Sequence, residues 1–173
     1  ISMALYLGLD TSNYTTSAAL CDDNGNVIVN QKLLLPVRPG ERGLRQSDAV
    51  FLHVKALPQI AAMLREQLPM GETVSAIGVS RAPRDREDSY MPCFLVGEGV
   101  GDVLSAAFRI PLYTFSHQAG HVMAAAYSAS RKGETDLEAL LSAPFLAFHV
   151  SGGTTDILLA RPDTEKILSV EHI

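Results

Sequence analysis

Apolar residues fall in short runs at the two ends of the chain and at helical spacing between them. Leu5-Tyr6-Leu7-Gly8-Leu9, Ser17-Ala18-Ala19-Leu20-Cys21 and residues 27–35 have the length of strands. Polar turns, Asp10-Thr11-Ser12-Asn13 and Asp22-Asp23-Asn24-Gly25-Asn26, separate them, which predicts an antiparallel three-strand meander. Residues 36–47, rich in Gly, Pro and Arg, read as a surface loop of a length that is often functional. Val50, Val54, Leu57, Ala61, Leu64 and Leu68 then recur every three or four positions, predicting a helix with that stripe inward, capped by Asp48 and bent at Pro58. His53 sits beside the stripe as a packing or hydrogen-bonding residue. Residues 74–80 read as a buried strand, 81–92 as a charged loop and 94–108 as a helix carrying Gly97, Gly99 and Gly101. Each helical glycine costs roughly 1 kcal/mol relative to alanine, so another backbone is expected close by. Residues 111–115 form a short strand leading into a helix that starts after Ser116.

The pattern then starts again. After the polar stretch 130–136 come an apolar run at 145–150, the turn Ser151-Gly152-Gly153-Thr154-Thr155, a run at 156–160, a turn at Arg161-Pro162-Asp163 and a last strand at 167–170. Both ends therefore read as strand, small-polar turn, strand, Asp-containing turn, strand. This is a weak internal repeat, in which a β-β-β-α-β-α unit begins a second time and is cut off. A turn of Ser, Gly and Thr between buried strands offers N–H groups and hydroxyls without bulk, as a phosphate requires. Two such turns facing each other would hold a nucleotide between two lobes, the plan of an actin-like ATPase.

Composition narrows the class without naming a function. At 173 residues and 47% hydrophobic content the chain can build a packed core in one domain or two small ones. A net charge of −5 argues against nucleic-acid binding by bulk electrostatics, although Arg38, Arg42 and Arg45, and separately Arg81, Arg84 and Arg86, form local basic clusters. Cys21 and Cys93 are too few for a disulfide framework, so a reducing compartment is expected. No segment reads as a membrane span or signal peptide, which makes a cytoplasmic location and no membrane partner the expectation. Ile1-Ser2 ahead of Met3 reads as a cloning remnant.

The sharpest chemical signal is Phe115-Ser116-His117-Gln118-Ala119-Gly120-His121. With Ser116 as N-cap, His117 and His121 lie one turn apart on the same helix face, where two imidazoles can share a metal ion. Two ligands do not make a site, so a further ligand must come from elsewhere; the plain alternative is a pair of partly exposed histidines with no ion. A zincin-type peptidase would also carry a Glu base at position 118, where this chain has Gln118.

Taken together, these motifs resemble the TsaD family of tRNA threonylcarbamoyladenosine (t6A) biosynthesis proteins, long labelled O-sialoglycoprotein endopeptidase or glycoprotease. The likeness covers nearly all of residues 3–173. It rests on Leu7-Gly8-Leu9-Asp10-Thr11-Ser12, on Leu95-Val96-Gly97 through Gly101, on Pro111, on His117-Gln118-Ala119-Gly120-His121, and on Phe145-Leu146-Ala147 leading to Val150-Ser151-Gly152-Gly153 and Thr155. It implies an α/β, actin-like (ribonuclease H-like) fold, with a first lobe at 3–128, a connecting segment at 129–143 and the opening strands of a truncated second lobe at 144–173. It implies iron or zinc held by His117 and His121, with a third ligand, an Asp, in a C-terminal half absent here. It also implies ATP or threonylcarbamoyl-adenylate against Asp10, Thr11, Ser12, Ser151, Gly152, Gly153 and Thr154. The implied reaction is transfer of a threonylcarbamoyl group to the N6 of a tRNA adenosine; the alternatives are a metallopeptidase, or a non-catalytic subunit pairing with a TsaB-like protein or with itself. The chain departs from the family at Tyr14-Thr15, where an acidic pair is usual, at Thr154 in place of His and at Ala119 in place of Glu. The departures mark a divergent paralogue, and these 173 residues alone are expected to be inactive.

Overall fold

The chain is described by a computed structural model, which covers residues 3–37, 40, 43–150, 155–164 and 167–173. Its contacts group into two units, Ile1–Arg81 with Tyr90–Thr114, and Ala82–Ser89 with Phe115–Ile173.

The first unit is built on the expected meander: β1 (Ala4–Asp10), β2 (Thr15–Asp22) and β3 (Val27–Leu34). β1 pairs antiparallel with β2, and β2 with β3. After α1 (Gln46–Gln67), β4 (Thr73–Ala82) returns parallel to β1; α2 (Phe94–Phe108) then leads to β5 (Leu112–Ser116), giving the order β3-β2-β1-β4-β5. Alternate residues of β2, Thr16, Ala18, Leu20 and Asp22, are buried, the period of two that a half-covered strand requires. Leu9, Ala18, Ile60, Ile77 and Val79 form the core between sheet and helices.

The helix stripe is correct in period and wrong in phase. The buried face of α1 is Ala49, His53, Ala56 and Ile60, one residue earlier at each turn than Val50, Val54, Leu57 and Ala61. One residue is about 100° of helix rotation. Two alanines at the contact let α1 approach the sheet closely, and the larger stripe is turned sideways toward α2. Asp48 is also not the cap. The helix starts at Gln46 after Arg45, which makes no side-chain cap bond, and Asp48 falls in the first turn, where its carboxylate meets the positive end of the helix dipole. The expected close backbone is not what crowds the α2 glycines: side chains do, and at two positions of three. A Cβ on Gly97 would stand 2.9 Å from Thr11 Oγ1, and one on Gly101 2.8 Å from Val79 Cγ1, whereas Gly99 faces open space.

The second unit contains α3 (His117–Arg131), α4 (Leu137–Leu141) and a separate antiparallel sheet of β6 (Phe145–Val150), β7 (Thr155–Asp163) and β8 (Ile167–His172). It is a second three-strand meander, as the repeat suggested. Ala119 and Val122 of α3 pack with Leu158, Ala160, Leu168 and Val170. The segment 129–143 holds the short helix α4, whose N-cap Asp136 accepts from Ala139 N at 3.1 Å. Arg161-Pro162-Asp163 is not a turn. β7 runs on through Asp163 paired with β8, past its last partner on β6, so the missing N–H of Pro162 lies where β7 has a neighbour on one side only. The face of the meander carrying Leu146, Phe148 and Val150 is exposed. Among the described residues no helix is long and apolar enough to cross a membrane.

Candidate functional site

In the first unit, the turn after β1 is fixed by its own side chains. Asp10 Oδ1 accepts from Ser12 N at 2.8 Å and Oδ2 from Ser80 Oγ at 2.5 Å. Thr11 is fully buried: its hydroxyl donates to Cys93 O at 2.9 Å and accepts from Gly97 N at 3.0 Å. Thr11 thus ties the end of β1 to the start of α2, which is why Gly97 must lack a side chain. Asn13 takes a left-handed conformation, φ 37°, to turn the chain into β2. The result is a rigid turn in which the hydroxyl of Thr11 is committed to the fold.

His53 lies beneath this turn, fully buried, with Nδ1 2.7 Å from Thr16 Oγ1 and Nε2 without a partner. It is the packing and hydrogen-bonding histidine that its position in the sequence suggests. Burial pushes its pKa below the usual 6.5, against the opposing pull of the Asp10 carboxylate. Folding therefore favours the neutral ring. The unfolded chain takes up a proton that the folded chain refuses, so this contribution to stability is complete above about pH 6.5 and is lost as the pH falls. Thermal melts between pH 8 and pH 5 should show the wild type losing more stability on acidification than His53→Gln, by roughly 1 kcal/mol for each unit separating the two pKa values. Equal acid losses in both proteins would show that His53 does not titrate on unfolding. The two cysteines are free, and burial raises both thiols, so neither is poised as a nucleophile.

In the second unit, Ser116 caps α3 as its place in the sequence suggests, accepting from Ala119 N at 3.1 Å. The cap fixes the register of the next turn. His117 and His121 consequently share one face, with ring centres 4.3 Å apart and Nε2 atoms 2.8 Å apart. Gln118 points the other way, 5% exposed, with Nε2 3.2 Å from His172 Nε2 and Oε1 without a partner. It does not stand where a peptidase's general base would be needed.

A second polar group lies beside this pair and was not legible in the sequence. The register of β6 and β7 sets His149 directly opposite Asp156. Around the Asp156 carboxylate stand Arg84 Nη2 at 3.7 Å, His149 Nδ1 at 3.9 Å and His172 Nδ1 at 3.7 Å. The His149 ring stacks on His121 with centres 5.4 Å apart. Both rings border a cleft of about 510 Å³ between α3 and β6, lined otherwise by such residues as Val122, Ala125 and Phe148. Among the described residues no three His, Cys, Asp or Glu groups already converge as one metal cluster. Ser151, Gly152, Gly153 and Thr154, expected at the phosphate, and Arg38 and Arg42 lie outside the described residues.

Against proteins of known sequence, the chain is 30% identical over 162 residues to the tRNA N6-adenosine threonylcarbamoyltransferase of Zymomonas mobilis subsp. mobilis, a match that takes in 92% of this chain. The chain is a divergent relative of that transferase. It spans about two fifths of the relative's length, 40%. No protein-family model matches it. Among solved structures it is similar to YeaZ from Pseudomonas aeruginosa, with a TM-score of 0.55 at 19% identity, covering 98% of this chain and 66% of the other. A crystal structure of an uncharacterized protein with similarity to peptidase YeaZ from Pseudomonas aeruginosa gives the same TM-score at 20% identity, covering 98% and 64%. With the meander, the parallel return of β4 beside β1 and the second meander, the fold is actin-like.

Proposed function

We propose that this chain is part of a metal- and nucleotide-dependent threonylcarbamoyltransferase acting on the N6 of a tRNA adenosine. The observation that carries the reading is the convergence of His117 and His121. Two imidazoles bound at about 2.0–2.1 Å to one ion hold their nitrogens about 2.9 Å apart at an octahedral right angle and about 3.3 Å apart in a tetrahedral site. Here the Nε2 atoms are 2.8 Å apart, on a helix turn fixed by the Ser116 cap. The donor set, two neutral imidazoles, suits iron or zinc. An ion bound there would polarise a carbonyl or phosphate oxygen as a Lewis acid. Asp10 and Ser12 and, from the sequence, Ser151, Gly152, Gly153 and Thr154 are proposed as contacts for the phosphates of ATP or threonylcarbamoyl-adenylate. Purified full-length protein should contain about one ion per chain by elemental analysis and bind ATP saturably by calorimetry. Protein holding neither would sink the reading.

A second reading, in which the chain serves a complex by pairing with a TsaB-like protein, is favoured by the first unit. The misphased stripe of α1 and the outer face of α2 line an open apolar groove of about 770 Å³, with Val50, Val54, Leu57, Leu95, Val100 and Val103 on its walls. Val54 and Val103 are 55% and 66% exposed, so a charge there costs the isolated chain little. Val54→Asp or Val103→Asp should abolish association of the full-length protein with a TsaB-like chain in sedimentation experiments, with the melting temperature unchanged. Association that survives both substitutions would exclude this groove. The two readings are compatible, since the groove lined by Val54 and Val103 includes neither the histidine pair nor the turn after β1.

A further inference from the structure

Resting on the proposed metal-dependent reading, we infer that His149 on β6 is a third imidazole ligand for the ion at His117 and His121, held in that role by Asp156. The ring positions carry the inference. Two imidazoles that share a first-row ion through their Nε2 atoms have ring centres about 5 Å apart, from the metal–nitrogen distance and the size of the ring. The centre of His121 lies 4.3 Å from that of His117 and 5.4 Å from that of His149, about that spacing in both cases. His121 and His149 border the same cleft, which leaves room for a side chain to turn.

The orientation of His149 agrees. Its Nδ1 is the nitrogen facing Asp156, at 3.9 Å, so Nε2 is the one left for an ion. Nδ1 is buried and lacks a hydrogen-bond partner as it stands. Metal-bound histidines usually donate their other N–H to a carboxylate, which fixes the tautomer and raises the basicity of the ligating nitrogen. A turn of the ring that brings Nε2 toward His121 and seats Nδ1–H on Asp156 would answer both needs together. Arg84 stands 3.7 Å from the same oxygen, Oδ2, and His172 3.7 Å from Oδ1, so Asp156 is held in place to accept that hydrogen bond. Because the three rings do not yet converge as one cluster, the movement is a required part of the inference.

The test is metal binding, read without any turnover. Full-length protein stripped by chelation is titrated with Zn²⁺ against a chromophoric competitor, and with Co²⁺ for its visible absorption bands. Wild type, His149→Ala, Asp156→Asn and His117→Ala are compared. The expected result is a loss of at least tenfold in Zn²⁺ affinity and an altered Co²⁺ spectrum for His149→Ala. A loss of about tenfold, no larger than that of His149→Ala, is expected for Asp156→Asn, which acts only through His149. Should His149→Ala fail to fold by circular dichroism, His149→Gln fills the same space and serves in its place. Unchanged affinity and an unchanged spectrum on losing His149, while His117→Ala abolishes binding, would overturn the inference and leave the paired site standing. Binding indifferent to both, or no binding by the wild type, would remove the metal reading and this inference with it.

Discussion

Replacing His117 and His121 together by alanine should strip the full-length protein of the proposed ion. Complete structural zinc sites bind with apparent free energies of about 10–16 kcal/mol, which is roughly 2.5–4 kcal/mol per ligand. Two lost ligands therefore weaken binding on the order of 10⁴-fold or more, beyond what survives purification. The substitution should not disturb the fold. His121 is exposed and His117 only partly buried, alanine is the better helix former, and the Ser116 cap is untouched. Elemental analysis and a thermal melt on the same preparation separate the two effects. Full metal content in the variant would show that the ion lies elsewhere, whereas a collapsed melting transition would show that the pair is structural.

Gly101→Val destabilises the protein by about 3 kcal/mol or more, whereas Gly99→Ala on the same helix stabilises it by a few tenths to 1 kcal/mol. At position 101 even the first added carbon would stand 2.8 Å from Val79 Cγ1 and 3.0 Å from Leu112 Cδ1. Val79 is 1% exposed within the core and, as a β-branched side chain on a strand, has little freedom to move aside. The helix must back away from the sheet instead, which also strains the Thr11 bonds that hold the start of α2. At position 99 an added methyl meets nothing within 4 Å, and only the gain in helix propensity remains. Denaturant titrations of the two variants should shift in opposite directions. A Gly101→Val protein as stable as wild type would mean that α2 does not pack on β4 and β5 as described.

How much of this was legible depended on how local each signal is. The meander, α2 and the Ser116 cap rest on residues within a few positions of one another, and the sequence places them closely. The phase of α1 is not local. It depends on Ala49 and Ala56 fitting the sheet more tightly than Val50 and Leu57 would, and hydrophobicity alone prefers the larger residues. Pro162 misleads for a related reason, since whether a strand tolerates proline depends on which of its sides is paired. The site divides in the same way. His117 and His121 are visible because one helix turn joins them. Thr11 reads as a ligand-turn residue, and only the approach of Cys93 and Gly97 shows that its hydroxyl is already engaged. Arg84, His149, Asp156 and His172 come from a loop and three strands, and they meet through register that no spacing rule supplies.

The central claim is that the protein to which this chain belongs transfers a threonylcarbamoyl group to tRNA. The most direct measurement incubates metal-loaded full-length protein, with a TsaB-like partner, with threonylcarbamoyl-adenylate and unmodified tRNA, and digests the tRNA for mass spectrometry of its nucleosides. The account predicts N6-threonylcarbamoyladenosine with the wild type and none with the His117→Ala/His121→Ala variant. Intact unmodified adenosine after incubation with a wild-type protein shown to hold its ion and bind ATP would contradict it. The substitutions at Tyr14, Thr15, Ala119 and Thr154 would then mark a chain that keeps the fold and has left the chemistry behind.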